Sequence, residues 1–148
     1  MLGVAAFWSQ RKGLSYFVQL ADLLPEQYRI VLIGLSDKQC SQLPAKIIGL
    51  QRTNNVQELV EWYTAAEVFV NPTLEENYPT TNLEAQACGT PVITFDTGGS
   101  TESAVCFGTC VEQGDVEGIV RCIEDGSYQS RELDRSIHGM LERYLTYF

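Results

Sequence analysis

The chain has 148 residues, a formal net charge of −9 and only 10 Lys and Arg residues. A chain of this length is typical of one domain, and the shortage of basic residues argues against a nucleic-acid-binding surface, which needs clustered Lys and Arg. Because no apolar run reaches the length of a membrane span and no basic segment precedes one, we expect neither a transmembrane helix nor a signal peptide, and hence a cytoplasmic protein.

Short apolar runs alternate with amphipathic segments along the chain. The runs are typical of strands buried on both faces of a parallel sheet, and the amphipathic segments are typical of helices that cover it. The predicted strands are Leu2–Phe7, Arg29–Ile33, Lys46–Leu50, Glu67–Asn71, Pro91–Phe95 and Thr109–Glu112. The predicted helices are Leu14–Leu24, Ser36–Gln42, Val56–Ala66, Pro79–Cys88, Ser100–Ala104, Asp115–Glu124 and Arg131–Tyr147.

This alternation predicts an α/β fold. We expect residues 1–148 to form a single domain, a Rossmann-like doubly wound parallel sheet of about six strands with helices on both faces. In such sheets, ligands bind beyond the carboxyl ends of the strands. The predicted loops at that edge are Trp8–Gly13, Gly34–Asp37, Gln51–Asn55, Pro72–Tyr78 and Asp96–Ser100. The residues expected to point inward from the third predicted helix are Val56, Leu59, Val60 and Tyr63.

The cysteines do not form a recognisable metal or disulfide pattern. Cys106 and Cys110 are close in sequence, but no second pair or neighbouring histidine completes a zinc site, and His138 lies far away. We therefore expect no metal, and interpret the cysteines as small buried apolar residues in a reducing compartment. The five positions are Cys40, Cys88, Cys106, Cys110 and Cys122.

The start of the helix predicted at Pro79 is a candidate anion site. Proline suits the first helical position, which places the N-cap at Tyr78, a residue without a capping side chain. The amides of Thr80, Thr81 and Asn82 are then expected to be open, and open amides at a helix start attract phosphate. The alternative is that water or a nearby polar side chain satisfies these amides.

Two carboxylates, Glu76 and Glu84, flank this helix start, and the pair Arg11-Lys12 lies in a loop at the same sheet edge. Cations there can hold a diphosphate, and carboxylates can accept hydrogen bonds from sugar hydroxyls. The chain has neither a Gly-x-Gly-x-x-Gly sequence nor a Gly-Lys-Ser/Thr sequence, so dinucleotide and P-loop sites are not expected. Each charged residue also has a simpler interpretation, as a solvated or helix-stabilising charge.

Three segments resemble the signature of family-four retaining glycosyltransferases. They are residues 71–76 (Asn-Pro-Thr-Leu-Glu-Glu), 83–93 (Leu-Glu-Ala-Gln-Ala-Cys-Gly-Thr-Pro-Val-Ile) and 97–99 (Thr-Gly-Gly). The family has the GT-B architecture of two facing Rossmann-like domains. The resemblance covers nearly the whole chain and implies one half of a GT-B fold, the C-terminal domain that binds a nucleoside-diphosphate-sugar donor. It implies no cofactor besides this donor substrate and no metal.

The resemblance also implies roles for individual residues. Glu76 and Lys12 are the catalytic candidates, because Glu76 is expected to orient the donor sugar and Lys12 to stabilise the departing diphosphate. Glu84 is expected to hold the ribose. The remaining expected contacts are Arg11, Thr80 and Thr81 for the diphosphate, Asn77 and Tyr78 for the sugar, and Val56 and Arg52 for the base.

The chain departs from the family pattern in three ways. Asn77-Tyr78-Pro79 replaces the usual Gly-Phe-Gly, so any contact made by the amide of residue 79 is lost. The family's arginine before the lysine falls at Ala6 or Phe7, for which Arg11 is a candidate substitute. The third departure is the acceptor-binding domain, which these 148 residues do not include. We therefore expect the isolated chain to bind donor weakly and to transfer nothing.

The resemblance leaves other functions and partners open. The main alternative is a non-catalytic sugar-nucleotide-binding or interaction module, and a weaker one is another GT-B-like enzyme such as an epimerase. Expected partners are the nucleoside-diphosphate sugar and the missing N-terminal domain, and self-association could use the exposed inter-domain face, including the helix that ends at Phe148. The family suggests bacterial polysaccharide synthesis, with the inner-membrane surface as an alternative location for the full-length enzyme.

Overall fold

The computed structural model describes residues 1–104 and 107–129. Its strands are β1 (Leu2–Val4), β2 (Ile30–Ile33), β3 (Ile47–Leu50), β4 (Phe69–Asn71), β5 (Val92–Phe95) and β6 (Gly108–Val111). Its helices are α1 (Leu14–Leu23), α2 (Asp37–Gln42), α3 (Val56–Ala65), α4 (Thr80–Ala87), α5 (Ser100–Ser103) and α6 (Val116–Asp125), followed by a 3-10 turn at Ser127–Gln129.

The strands form one parallel sheet in the order β3-β2-β1-β4-β5-β6. The Rossmann-like prediction is therefore confirmed, and the described residues form a sheet of six strands. Alternate residues of β2 explain why its sequence is apolar throughout. Ile30 and Leu32 pack on one face of the sheet, whereas Val31 and Ile33 pack on the other. A strand covered on both faces has no solvent side to fill with polar residues.

Helices cover both faces of the sheet and bury one apolar cluster on each. Helices α1 and α6 supply Phe17, Leu20, Ala21, Val116, Ile119 and Ile123 to the first cluster. Helices α3 and α4, with the residue after α5, supply Tyr63, Ala85 and Ala104 to the second. The predicted doubly wound arrangement is thus present in the described part of the chain.

Three expectations about burial are wrong. Strand β1 ends at Val4, and Phe7 is 61% exposed in the loop that follows. In α3, Val56 is 76% exposed and Val60 is 37% exposed, while Tyr63 is fully buried. The two valines are exposed because a groove separates α3 from α4, so that only the Tyr63 side of α3 meets the sheet.

The cysteine prediction is only partly correct. The four described cysteines are free, as expected, but all are half-buried rather than buried. Cys106, the predicted helix Arg131–Tyr147 and the part of the expected self-association face that runs through Phe148 lie outside the described residues.

The start of α3 is fixed by side-chain caps that keep this helix at the ligand edge. The Asn55 side chain accepts a hydrogen bond of 2.8 Å from the Glu58 N–H, and the Glu58 carboxylate accepts one of 2.7 Å from the Asn54 N–H.

We expect Asn55→Ala to lower the free energy of unfolding by about 1 kcal/mol, because the Glu58 amide loses its acceptor. Urea denaturation measures this loss. Gln57→Ala, on the same exposed turn, is the control, and an equal effect of both substitutions would contradict the capping role.

The order of the strands in the sheet determines where a binding crevice is expected. Strands β1 and β4 are neighbours, but the chain leaves them towards opposite edges of the sheet. Loops that diverge at such a switch point open a crevice at the carboxyl ends of the strands. The loops after β1 (residues 5–13) and β4 (residues 72–79) border it, and we refer to them as the β1 loop and the β4 loop.

Candidate functional site

A cavity of about 310 Å³ lies at the switch point between β1 and β4. We call it the switch-point cavity. The end of β1, the β1 loop, the β4 loop and the first turn of α4 line it together. Its lining residues are Val4, Ala5, Ala6, Phe7, Trp8, Arg11, Lys12, Asn71, Glu76, Tyr78, Pro79, Thr80 and Thr81. The cavity therefore lies where the fold predicts a ligand.

The β1 loop is docked against the β4 loop by backbone contacts. Gly13 has a φ of 84°, and a Cβ there would lie 2.2 Å from the Pro72 carbonyl oxygen. The carbonyl of Arg11 accepts a hydrogen bond of 2.9 Å from the Leu74 N–H. These contacts hold the position of Lys12 relative to the β4 loop, because its neighbours on both sides in the sequence are fixed.

Two glycines support the β4 loop from its other side. A Cβ on Gly98 would lie 1.8 Å from the Glu76 carbonyl oxygen, and one on Gly99 would lie 1.8 Å from the Asn77 carbonyl oxygen. The Gly99 N–H donates to the Glu76 carbonyl over 3.3 Å. Gly98-Gly99, which belongs to the family-like signature, thus allows the backbone of residues 76–77 to rest directly on the loop after β5.

Lys12 and Glu76 meet inside the cavity. The Lys12 ammonium donates to Glu76 Oε2 over 2.5 Å, and the two side chains are 25% and 19% exposed. An ammonium has three N–H donors and a carboxylate has about four acceptor positions, so this bond exhausts neither group. Lys12 keeps donors for an anion, and Glu76 keeps acceptors for hydroxyl groups.

The first turn of α4 differs in register from the prediction. Pro79 is the N-cap rather than the first helical residue, because its ψ of 110° is extended, and the helix begins at Thr80. The Asn82 N–H is not open, since it donates to the Pro79 carbonyl over 3.2 Å. The Thr80 and Thr81 N–H groups have no acceptor among the described residues, and the N-cap provides no side-chain bond. The first turn of α4 therefore has two open amides at the cavity rather than the three that were predicted.

A buried polar network holds this helix start in place. The Asn71 carboxamide, at the end of β4, donates to the Asn82 side chain over 2.9 Å. Asn82 is fully buried and donates in turn to Ser103 Oγ over 2.9 Å. The Asn71 carbonyl also accepts from the Thr94 hydroxyl over 2.9 Å. Because a buried polar group that loses its partner is destabilising, these bonds fix the orientation of α4 against β4, β5 and α5.

Glu84 does not line the switch-point cavity. It lies in a second, more apolar hollow of about 760 Å³ between α3 and α4, which we call the α3–α4 groove. The residues of this groove are Val56, Leu59, Val60, Tyr63, Thr64, Glu84, Ala87 and Cys88. Thr81 and Glu84 are three residues apart on one helix, so the two hollows follow the same side of α4.

The Tyr63 hydroxyl donates to Glu84 Oε2 over 2.9 Å. Burial, and secondarily the Glu84 carboxylate, raise the pKa of this hydroxyl well above its ordinary value, so Tyr63 remains a neutral donor. Burial and the same carboxylate raise the pKa of the Cys88 thiol, which therefore stays protonated at neutral pH. Glu84 is the anionic group of an otherwise uncharged groove.

The structure gathers most of the predicted site residues into these two hollows. Lys12, Arg11, Glu76, Tyr78, Thr80 and Thr81 line the switch-point cavity, and Glu84 and Val56 line the α3–α4 groove. Asn77 and Arg52 line neither of them. Sequence reasoning missed the contact of the Tyr63 hydroxyl with Glu84. The signal available was that a tyrosine in an apolar helix stripe needs a partner for its hydroxyl.

Residues 1–104 and 107–129 contain no cluster of three or more His, Cys, Asp or Glu side chains arranged to hold a metal ion. Within the same residues, no helix has the length and apolar character that crossing a membrane requires.

Comparison with known proteins gives consistent matches. A profile of the family described as Glycosyl transferases group 1 matches residues 1–126. The D-inositol 3-phosphate glycosyltransferase of Frankia alni is 35% identical over 103 residues, which are 70% of this chain and 21% of that relative.

Two solved structures have the same fold. Sucrose-phosphate synthase from Thermosynechococcus elongatus superposes with a TM-score of 0.71 and 25% identity, over 86% of this chain and 37% of the other. Anabaena HepE, crystallised with UDP-glucose, superposes with a TM-score of 0.68 and 19% identity, over 99% of this chain and 48% of the other. This chain spans less than half the length of each of the three proteins.

Proposed function

The chain belongs to the group 1 glycosyl transferases, and we propose that it forms the donor-binding half of such an enzyme. The donor is a nucleoside-diphosphate sugar, whose sugar is transferred to an acceptor hydroxyl. The observation that carries the proposal is the Lys12–Glu76 pair next to the open amides of Thr80 and Thr81. A cation and helix-start amides suit a diphosphate, and the adjoining carboxylate suits the hydroxyls of the sugar attached to it.

The charges of the cavity favour an anion despite the acidic chain. Lys12 offsets the negative charge of Glu76, which would otherwise repel a diphosphate at this distance. The positive end of the α4 dipole adds a second attraction at Thr80 and Thr81. As the bond between sugar and diphosphate breaks, negative charge grows on the diphosphate, and donors already aimed at it stabilise the transition state. Glu76 orients the sugar in this scheme and does not act as a nucleophile.

The nucleoside follows α4 from the cavity into the α3–α4 groove. Thr80 and Glu84 are four residues apart, slightly more than one helical turn, or about 6 Å along the axis. We propose that the diphosphate lies at Thr80 and that the ribose hydroxyls reach Glu84. The base then lies towards Val56, whose exposed side chain lines the same groove.

The activity of the whole protein is part of the proposal. An acceptor-binding domain on the other side of the switch-point cavity completes the enzyme, excludes water and holds the acceptor. Transfer with retention of the anomeric configuration and without a metal clamp follows from the family resemblance.

We expect the isolated chain to bind the donor and to transfer no sugar, which incubation with UDP-glucose and analysis of released UDP would test.

Calorimetric titration with UDP and GDP tests the donor site, with UDP as the first probe because HepE was crystallised with UDP-glucose. Glu84→Ala is expected to weaken whichever nucleotide binds by about tenfold, because hydrogen bonds from the ribose to a carboxylate are lost. Glu75→Ala removes an equal charge from an exposed position of the β4 loop and is the control. The proposal is contradicted if neither nucleotide binds at millimolar concentration, or if both variants weaken binding equally.

A further inference from the structure

Tyr63 is buried, yet its one side-chain polar group is directed at the groove carboxylate. The residue is 1% exposed, and its hydroxyl donates to Glu84 Oε2 over 2.9 Å. Glu84 Oε1 has no hydrogen-bond partner among the described residues. One oxygen of the carboxylate is therefore held from beneath, while the other remains available to a ligand in the α3–α4 groove.

The position of the Tyr63 hydroxyl is itself fixed. The ring packs against Phe69 of β4 with centroids 5.5 Å apart, and the Tyr63 carbonyl accepts a hydrogen bond from Thr90 Oγ1 over 2.5 Å. A buried ring on a backbone that is anchored in this way cannot swing away from Glu84 without opening the core. The hydroxyl thus restricts the rotation of a carboxylate that is otherwise only half-buried.

We propose that Tyr63 is a positioning residue for nucleotide recognition, which orients Glu84 so that its free oxygen accepts a hydrogen bond from the ribose. The inference rests on the proposed function, since it requires a nucleotide in the groove. Tyr63 acts through Glu84, because its only side-chain donor is used in that contact and the residue itself is buried. Without the hydroxyl, Glu84 can still carry its charge, but its orientation towards the ribose is lost.

The test compares nucleotides with and without ribose hydroxyls. Calorimetry or NMR titration gives the dissociation constants of UDP, GDP and ADP and of their 2′,3′-dideoxy counterparts for the natural chain and Tyr63→Phe. We expect the natural chain to prefer the ribonucleotide by about tenfold or more, and Tyr63→Phe to reduce this preference to about threefold or less. The affinity for the dideoxy nucleotide should not change, since the diphosphate contacts remain.

Two further variants separate positioning from a general structural role. Tyr16→Phe removes a hydroxyl from α1, on the opposite face of the sheet, that forms no hydrogen bond with the described residues, and it should leave the preference unchanged. In a Glu84→Ala background, Tyr63→Phe should have no further effect on the preference, because the two residues act as one unit. Thermal melting verifies that each variant is folded. If Tyr63→Phe is not, Thr90→Val removes the hydrogen bond that anchors the Tyr63 backbone and leaves Glu84 unchanged, and it should also reduce the preference.

The outcomes distinguish this inference from the proposed function. The inference is overturned if Tyr63→Phe keeps the natural preference, or weakens ribo- and dideoxynucleotides equally, while the proposed donor site stands. A natural chain that binds both nucleotide types equally also overturns it, since Glu84 then does not hold the ribose. Absence of binding by all three nucleotides at millimolar concentration overturns both.

Discussion

Lys12→Met is expected to weaken the binding of a nucleoside diphosphate by about tenfold to a hundredfold. The substitution removes a charge-assisted hydrogen bond, which is worth about 1.5–3 kcal/mol. It also leaves Glu76 unpaired and negative in the cavity that has to accept the diphosphate. Both effects act in the same direction, so we expect this to be the largest loss of affinity from any single side chain of the site. Calorimetric titration with UDP measures it.

The control for this variant is Lys38→Met. Lys38 is exposed on α2 and does not line the cavity, yet its removal changes the net charge of the chain by the same amount. A double variant, Lys12→Met with Glu76→Gln, should bind better than Lys12→Met alone, because the repulsive carboxylate is neutralised. Equal affinities of the Lys12→Met and Lys38→Met variants would mean that Lys12 acts only through overall charge.

Gly98→Ala is expected to lower the free energy of unfolding by about 3 kcal/mol or more. Gly98 has a φ of 50°, and an added Cβ would lie 1.8 Å from the Glu76 carbonyl oxygen. The clash is with backbone, so a side-chain rotation cannot relieve it, and the β4 loop has to move. Since that loop carries Glu76, the variant should also bind UDP-glucose more weakly than the natural chain does. Urea denaturation and calorimetry measure the two effects.

Gly126→Ala separates backbone strain from the clash. Gly126 also has a positive φ, 68°, but an added Cβ would have no atom within 4 Å. We expect this variant to lose only about 1 kcal/mol, the usual difference for a left-handed residue that is not glycine. If both alanine variants lower the free energy of unfolding by the same amount, the close approach of Gly98 to Glu76 does not contribute to stability.

The fold was predictable from the sequence because its strands are covered on both faces. A run such as residues 29–33 permits few interpretations, and the ends of the elements shifted by only a few residues. Helix α3 shows the limit of this reasoning. Its apolar stripe predicted burial of Val56 and Val60, but a stripe shows only that a helix has an apolar side. Whether a neighbouring helix covers that side depends on the spacing between α3 and α4, which is a property of the assembled fold.

The part of the site that could be predicted from the sequence is the part that lies within a recognisable motif. The segment from Glu76 to Glu84 located a helix start at the ligand edge, and the structure brings Lys12 to it from a distant part of the sequence. The register of that start was not predictable, because the position of Pro79 depends on its ψ angle, which the proline ring leaves free. The Tyr63–Glu84 contact joins two helices across a groove. The sequence indicates only that the Tyr63 hydroxyl needs a partner, whereas the residue that provides it is determined by packing.

The most direct test of the donor site is to map a bound nucleoside diphosphate onto the chain. An NMR titration of the labelled chain with UDP and GDP reports which backbone amides change on saturation. The proposed function predicts the largest changes at Thr80 and Thr81 and at Lys12, with smaller changes along α4 to Glu84. Saturable changes confined to other parts of the molecule, or no saturation at millimolar nucleotide, would contradict the donor site proposed for this domain.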